Sequence, residues 1–296
     1  MKLFEEQRPP QDAAAVVSQL FREFKEIPFS NQSRNISPSG LSCQVCAAFK
    51  LQGVQGDTTK ESFQSLSFAD AGEDRHKRIQ AFLSKTEYWV DVAEYIKEKK
   101  LPLRAVIKVN NDSYDTEERK LPREIYKEEA EEFLKTYNLP REALLEDEFE
   151  TLLVHTTLPI RFKCDGILLI EGVYYILEIK TEGNQKSTYR TTYDPKHQLQ
   201  GTAYTWLFKV GRILWIYEDR DKLTQKVFVQ LVTPQEKIFI RDYIQEIVDN
   251  KDTPENLRRS EGTCKYCPYK KHCKAYFKEI EKRAKETTVQ SNNTDK

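Results

Sequence analysis

Residues 160–181 read IRFKCDGILLIEGVYYILEIKT. Two apolar runs, rich in β-branched and aromatic residues, flank Glu171-Gly172, and this pattern predicts an antiparallel hairpin with a tight turn. A two-residue loop sets Ile170 opposite Val173 and, counting outward, Asp165 opposite Glu178. Directly opposed side chains on one face have Cβ atoms roughly 4.5–5.5 Å apart. Two carboxylates so placed repel each other, and a shared divalent cation is the usual compensation. Side chains alternate along a strand, so Lys180 falls on the same face as Glu178. A slip of one residue would put the two acids on opposite faces, so the register decides the reading.

The chain around this hairpin predicts helices about a sheet. LRAVIKV (103–109), ETLLVHTT (150–157), GRILWIYED (211–219) and KVFVQLV (226–232) read as strands. YDPKHQLQGTAYTWLF (193–208) predicts a helix beginning near Asp194-Pro195, and PQEKIFIRDYIQEIVDN (234–250) an amphipathic one. Residues 12–26 have helical spacing and end before Pro28. In SPSGLSCQVCAAFKLQG (37–53), Ser37 is the expected N-cap with Pro38 at the first helical position, and Cys43 and Cys46 share a side. Residues 69–99 read as one or two helices, with His76 directed to the buried side by Ile79 and Leu83. The acidic run of about 112–150 reads as a solvated helical insertion without chemical signature. The expected fold is α/β (α+β): a central mixed β-sheet flanked by helices. An N-terminal helix and linker (1–35) would precede one main domain (36–286), and the tail 287–296 is expected to be disordered.

Composition narrows the partners. Lys+Arg and Asp+Glu both number 47, so a nucleic acid would have to be met by a local basic surface. The N-terminus has no apolar signal region and no run approaches a membrane span, which leads to the expectation of a cytoplasmic protein. Six cysteines in such a compartment point to metal or redox chemistry rather than disulfides. No GxxxxGK[ST] motif is present, so a helicase would be a separate partner chain.

A Glu-x-Lys on a strand is commonly a solvated surface pair. The apolar setting of YYILEIK and the opposed Asp165 argue otherwise, because an unpaired carboxylate there is costly. Asp165 and Glu178 would hold Mg²⁺ or Mn²⁺ through oxygen, and the carbonyl of Ile179 would add a third ligand. Lys180 would orient or deprotonate a water and stabilise charge on a phosphate. With these residues the sequence resembles the PD-(D/E)XK nucleases of the RecB-like type, which share a restriction-endonuclease-like core. The resemblance implies that His76, four residues after Gly72, joins the metal site. It also implies that Gln200 and Tyr204 on the downstream helix serve catalysis. Gln198 is the competing register, His197 is open to a site or a surface role, and His155 reads as structural.

The cysteines carry a second signal. Cys264, Cys267 and Cys273 fall in one short segment, and Cys43 and Cys46 lie far upstream. Paired CxxC motifs would make a tetrahedral zinc site but would leave Cys273 idle. Three C-terminal cysteines with a distant fourth resemble the iron–sulfur members of the same family, among them AddB-type and CRISPR-associated nucleases and phage-encoded exonucleases. The resemblance implies a [4Fe–4S] cluster on Cys43, Cys264, Cys267 and Cys273, within a segment at 258–285, with Cys46 as the alternative to Cys43. Cys164 reads as a small buried residue.

For DNA contact the candidates are Lys186, Tyr189 and Arg190 after the E-x-K strand, and Lys270 and Lys271 near the cysteines. Lys265, Lys274, Arg258 and Arg259 add charge there, and Tyr266 and Tyr269 are candidates for stacking on bases. The function these readings imply is a metal-dependent DNA exonuclease of recombination, repair or DNA processing. The alternatives are a catalytically silent DNA-binding accessory protein and the same nuclease stapled by zinc.

Overall fold

Glu171 and Gly172 both have positive φ, 51° and 77°, the backbone of a type I′ turn whose twist matches that of the strands it joins. The hairpin therefore closes in the expected register: Val173 faces Ile170, and Leu177 faces Gly166. The computed structural model describes residues 24–27, 34–57, 59–111, 114, 116, 119–260, 262, 264 and 267–294.

Its strands are β1 (Phe24–Ile27), β2 (Thr59–Ser62), β3 (Trp89–Val90), β4 (Leu103–Val109), β5 (Glu124–Tyr126), β6 (Leu144–Leu145), β7 (Thr151–His155), β8 (Arg161–Cys164), β9 (Gly166–Ile170), β10 (Val173–Glu182), β11 (Arg212–Asp219) and β12 (Gln225–Leu231). Its α-helices are α1 (Gln44–Gln52), α2 (Phe63–Leu83), α3 (Val92–Glu98), α4 (Ala130–Tyr137), α5 (Asn184–Tyr189), α6 (Gln198–Leu207), α7 (Pro234–Asp249) and α8 (Lys270–Thr294).

The fold is mixed α/β, as expected, with two larger sheets. One is mixed, in the order β12-β11-β10-β9-β3, with β10 and β11 parallel. A parallel pair needs a crossover, which here runs through α5 and α6 and lays α6 on one face of the sheet. Trp215, Tyr217, Ala203 and Leu207 join the main core, while Ile79 of α2 packs with Leu177, Ile179 and Ile216 in a separate cluster. The second sheet is antiparallel, β5-β4-β7-β8, with β6 beside β4. β4 alternates as a half-buried strand should, burying Leu103, Ala105, Ile107 and Val109.

Three expectations need correction. Residues 24–27, read as the end of a helix, form β1 paired to β2, a register that sets Lys25 opposite Glu61 and Glu26 opposite Lys60; residues 12–23 lie outside the described residues. The acidic run is not simply helical: β5 and β6 join the second sheet and α4 is its one described α-helix. Its apolar residues Phe133, Leu134, Ala143 and Leu144 close over Ile107 and Val109, so burial overrode the acidic composition. The tail 287–296, expected to be disordered, continues α8 as far as Thr294.

The two ends of the chain also meet. Val45, Ala48 and Phe49 of α1 pack with Leu257 and Tyr269. Tyr243 Oη donates to the Leu41 carbonyl (2.9 Å) and the Arg258 N–H to Gln44 Oε1 (2.9 Å).

Helix α6 approaches the sheet through Gly201, where an added methyl would come within 2.5 Å of Gln230 Oε1 and 2.9 Å of Trp215. Gly201→Ala is therefore expected to destabilise the protein by about 1–3 kcal/mol, through overpacking. A thermal melt reads this directly, and an unchanged Tm would mean that α6 can move off Trp215 without cost.

Candidate active site

Asp165 lies at a break. β8 belongs to the antiparallel sheet and β9 to the mixed sheet, and Asp165 is the residue between them. Outside both ladders, its carboxylate turns to β10 and accepts from the Ile179 N–H at 2.6 Å. Its carbonyl accepts from the buried Gln80 of α2 at 2.9 Å. Glu178 is the next residue of β10 beyond the Leu177–Gly166 pair, so both acids reach one end of the hairpin. Each is almost fully buried.

Glu178 is the hub on the α6 side. Its Oε1 accepts from Lys180 Nζ at 2.5 Å and from Gln200 Nε2 at 2.8 Å. Tyr204, one turn after Gln200, donates to the Lys163 carbonyl at 3.1 Å and lies 3.4 Å from Gln200 Nε2. Burial holds the Tyr204 hydroxyl far above its usual range, so it stays a donor and ties α6 to β8. Gln198 points elsewhere, to Glu236, leaving Gln200 as the residue that reaches the acids.

His76 arrives from α2. Its Nδ1 stands 3.9 Å from Asp165 Oδ2, and burial, then the Lys180 charge, push its pKa down and favour the neutral ring. Ligand atoms of His76, Asp165 and Glu150 all lie within 4.8 Å of one another, the one such group among the described residues. Glu150 had no sequence signal, being one acid among many at the end of an acidic run. Only the second sheet carries it to the mixed sheet, where Lys163 holds its carboxylate at 2.8 Å. One imidazole nitrogen and two carboxylates, with Glu178 alongside, suit a hard divalent ion such as Mg²⁺ or Mn²⁺.

The remaining expected residues divide. Tyr189 is 78% exposed and Lys186 is open apart from Asp194 at 3.3 Å. Arg190 is instead committed inward: it makes two bonds to Glu182 (2.7 and 2.6 Å) over the Tyr217 ring, which removes it from the surface as a DNA contact. Lys270 and Lys271 are exposed at the start of α8, but Tyr269 is buried against Phe49 and offers no stacking surface. Lys265 and Tyr266 lie outside the described residues. His197 stacks on Trp215 and meets Tyr217 Oη at 2.9 Å; burial, then Lys180, lower its pKa to about 4. His155 Nδ1 accepts from the N–H groups of Thr157 and Leu158, a structural role.

Cys164 is fully buried and donates to the Gly166 carbonyl. Cys43, Cys46, Cys267 and Cys273 gather where α1 meets the C-terminal segment, with Cys46 and Cys267 sulfurs 3.1 Å apart. Cys264 donates to the Ser260 carbonyl at 3.4 Å and lies near Cys273. Cys43 is the N-cap of α1 rather than a residue on its face.

Two acids and a lysine thus meet where the central strand β10 runs on past the end of β9, with a histidine from α2 and a glutamine from α6. A model of the PD-(D/E)XK nuclease superfamily matches residues 35–274, and the chain belongs to that superfamily. Membership implies a metal-dependent nuclease with DNA as substrate. Among solved structures, the crystal structure of SSO0001 is similar at 15% identity, covering 81% of this chain and 86% of that one with a TM-score of 0.37. No curated protein matches the chain. No helix among the described residues is long and apolar enough to cross a membrane.

Burial raises the Asp165 carboxyl to about 6, and burial with the neighbouring Asp165 charge raises Glu178 to about 7. In metal-free protein the folded state thus keeps protons that the unfolded chain loses near pH 4, about its ordinary carboxyl range. The stability this contributes is full below that range and is lost as pH rises through about 6 and 7. Without divalent metal, Glu178→Gln should melt several degrees above wild type at about pH 8, with the gap closing toward about pH 5. A gap independent of pH would mean that Glu178 titrates normally. Metal competes with the same protons, so its affinity should weaken as the pH falls below about 7.

Proposed function

We propose that this protein is a Mg²⁺- or Mn²⁺-dependent DNA exonuclease of the RecB-like type, with a structural iron–sulfur cluster. The observation that carries the catalytic reading is the convergence of His76, Glu150 and Asp165 beside the Glu178–Lys180 pair. His76, Asp165, Glu150 and Glu178, with the Ile179 carbonyl, would hold the ion, which supplies Lewis-acid polarisation of the phosphate and a more acidic water. Lys180 is aimed by Glu178 and lies 5.9 Å over the Trp215 ring, so its ammonium has one defined direction. There it orients the attacking water and faces the charge that grows on the phosphate. Gln200 fixes Glu178, and Tyr204 fixes the helix that carries Gln200.

The RecB-like part of the proposal is supported by the motif order of His76, Asp165, Glu178-x-Lys180 and Gln200, and the end-directed part is what the cleavage assay below decides. A separate helicase or recombination protein fits as partner. Lys186, Tyr189, Lys270 and Lys271 are the proposed contacts to the strand, being exposed.

The cluster reading is supported by five thiols gathered from both ends of the chain. Zinc on the two CxxC pairs would leave Cys273 outside the site, whereas the four thiolates of a cluster would use it together with Cys264 and Cys267. Cys43, Cys264, Cys267 and Cys273 would hold it, and Cys46 stands near enough to replace Cys43.

End-labelled linear DNA, single- and double-stranded, should be degraded with Mn²⁺ while a closed circle survives. Lys180→Ala should cut at least about 10²-fold more slowly. No cleavage by the wild type, or cleavage undiminished in Lys180→Ala, would remove the enzyme reading, and cutting of the circle would remove the end-directed one. Cys267→Ser should lower iron content, visible colour and Tm more than it lowers the per-molecule rate of the folded fraction. A folded, colourless wild type with bound zinc would replace the cluster by the zinc staple.

A further inference from the structure

His197 lies outside the group that would hold the metal, but the turn that leads into α6 sets it against the same strands. Asp194 accepts from the Lys196 N–H at 3.1 Å and Pro195 opens the turn, so the chain enters α6 with His197 one turn before Gln200. The His197 ring stacks on Trp215 (5.5 Å between centroids, 25°) and on Tyr217 (6.0 Å, 15°). In the parallel register of β10 and β11 these two residues are the neighbours of Glu178 and Lys180. The imidazole therefore covers β11 beside the Glu178–Lys180 pair, and the Lys180 ammonium lies 5.9 Å from the same Trp215 ring.

Hydrogen bonding fixes which ring nitrogen carries the proton. Tyr217 is buried, and its Oη accepts from the Asp194 N–H at 2.9 Å. Among the described residues His197 Nδ1, also at 2.9 Å, is the one acceptor for the hydroxyl proton. A buried hydroxyl is seldom left without an acceptor, so Tyr217 donates to Nδ1 and the imidazole proton sits on Nε2. Burial, then the Lys180 charge, keeps the ring neutral. The result is a neutral Nε2–H on a half-buried ring, for which the described residues supply no acceptor. A donor that no protein group uses, beside a lysine aimed at a phosphate, suits an anionic oxygen of the same strand.

We propose that His197 is a substrate-contacting residue, whose Nε2–H donates to a non-bridging oxygen of a phosphate in the bound DNA strand, next to the phosphate that Lys180 faces. The choice of a DNA phosphate as acceptor rests on the nuclease reading. Tyr217 is then a positioning residue: by giving its proton to Nδ1 it keeps the donor on the opposite nitrogen.

Two amide substitutions separate the nitrogens. His197→Asn places its amide near Nδ1 and leaves nothing at Nε2, whereas His197→Gln reaches the Nε2 position, and both lose the stacking on Trp215. The test is equilibrium binding of a short labelled oligothymidylate to the purified protein, without added divalent metal, across a salt series. His197→Gln should stay within about threefold of wild type, and His197→Asn should bind about tenfold more weakly, the size of one hydrogen bond to a charged acceptor. The log–log salt slope should be the same in all three, because a neutral donor releases no counterion. A ring that serves only to brace Tyr217 gives the opposite order, with His197→Asn the closer to wild type. That order, equal binding by both variants, no binding by the wild type, or a slope shallower by about 0.7 in His197→Asn overturns the contact. If the amide variants lower Tm, His197→Phe keeps the stack and is compared with wild type on oligothymidylates carrying one methylphosphonate each. Wild type should lose about tenfold at one position where His197→Phe loses nothing further, and equal losses in both proteins at every position overturn the contact. Because nothing is cleaved in these assays, the two readings fail separately. A chain that shows the Gln-over-Asn order but cuts no DNA keeps the contact and loses the nuclease, and the reverse result does the opposite.

Discussion

The hydrogen bond from the Ile179 N–H to the Asp165 carboxylate holds the two sheets in the relation on which the site depends. The strand that enters the hairpin leaves one sheet at Cys164 and joins the other at Gly166. A residue at such a break has no ladder partner, and its backbone and side chain must be satisfied individually. Gln80 takes the carbonyl and Ile179 takes the carboxylate. Because Gln80 lies one turn beyond His76 on α2, satisfying the backbone of Asp165 also fixes where the imidazole stands.

The cost of this arrangement is electrostatic. Asp165 and Glu178 are both buried, and their raised pKa values record desolvation first, with repulsion from Glu150 added at Asp165 and from Asp165 added at Glu178. Lys180 and Gln200 offset part of it at Glu178, and Lys163 does so at Glu150. Elsewhere buried acids are matched inside the chain. Glu218 takes two bonds from Arg78, and Glu182 takes two from Arg190. The contrast is informative, since complete pairing marks a structural acid whereas the incompletely compensated group at Asp165 has room for a cation.

Closure of the chain ends is built on packing before any metal is considered. Phe49 meets His272, Tyr269 and Tyr276, and Gln44 donates to Glu246 at 2.6 Å. The cysteines sit inside this contact, so a cluster there would reinforce an interface that apolar burial already forms.

The family resemblance singled out His76 and Gln200, while local patterning was enough for the hairpin, its register, β11 and β12, α6 and α7, and for Asp165, Glu178 and Lys180 as candidates. Each of these rests on interactions between residues near in sequence: a two-residue turn, alternation along a strand, one turn of helix. Glu150 and the inward pairing of Arg190 were out of reach because an acid in an acidic run, or a basic residue in a basic segment, has the same local signature wherever the fold puts it. The split of the Ile160–Thr181 stretch between two sheets was equally hidden, since both halves satisfy the same period of two. Sequence alone determined which residues share a strand face or a helix face. Only the tertiary structure decided which faces meet, because that depends on burial and charge compensation between segments far apart in the chain.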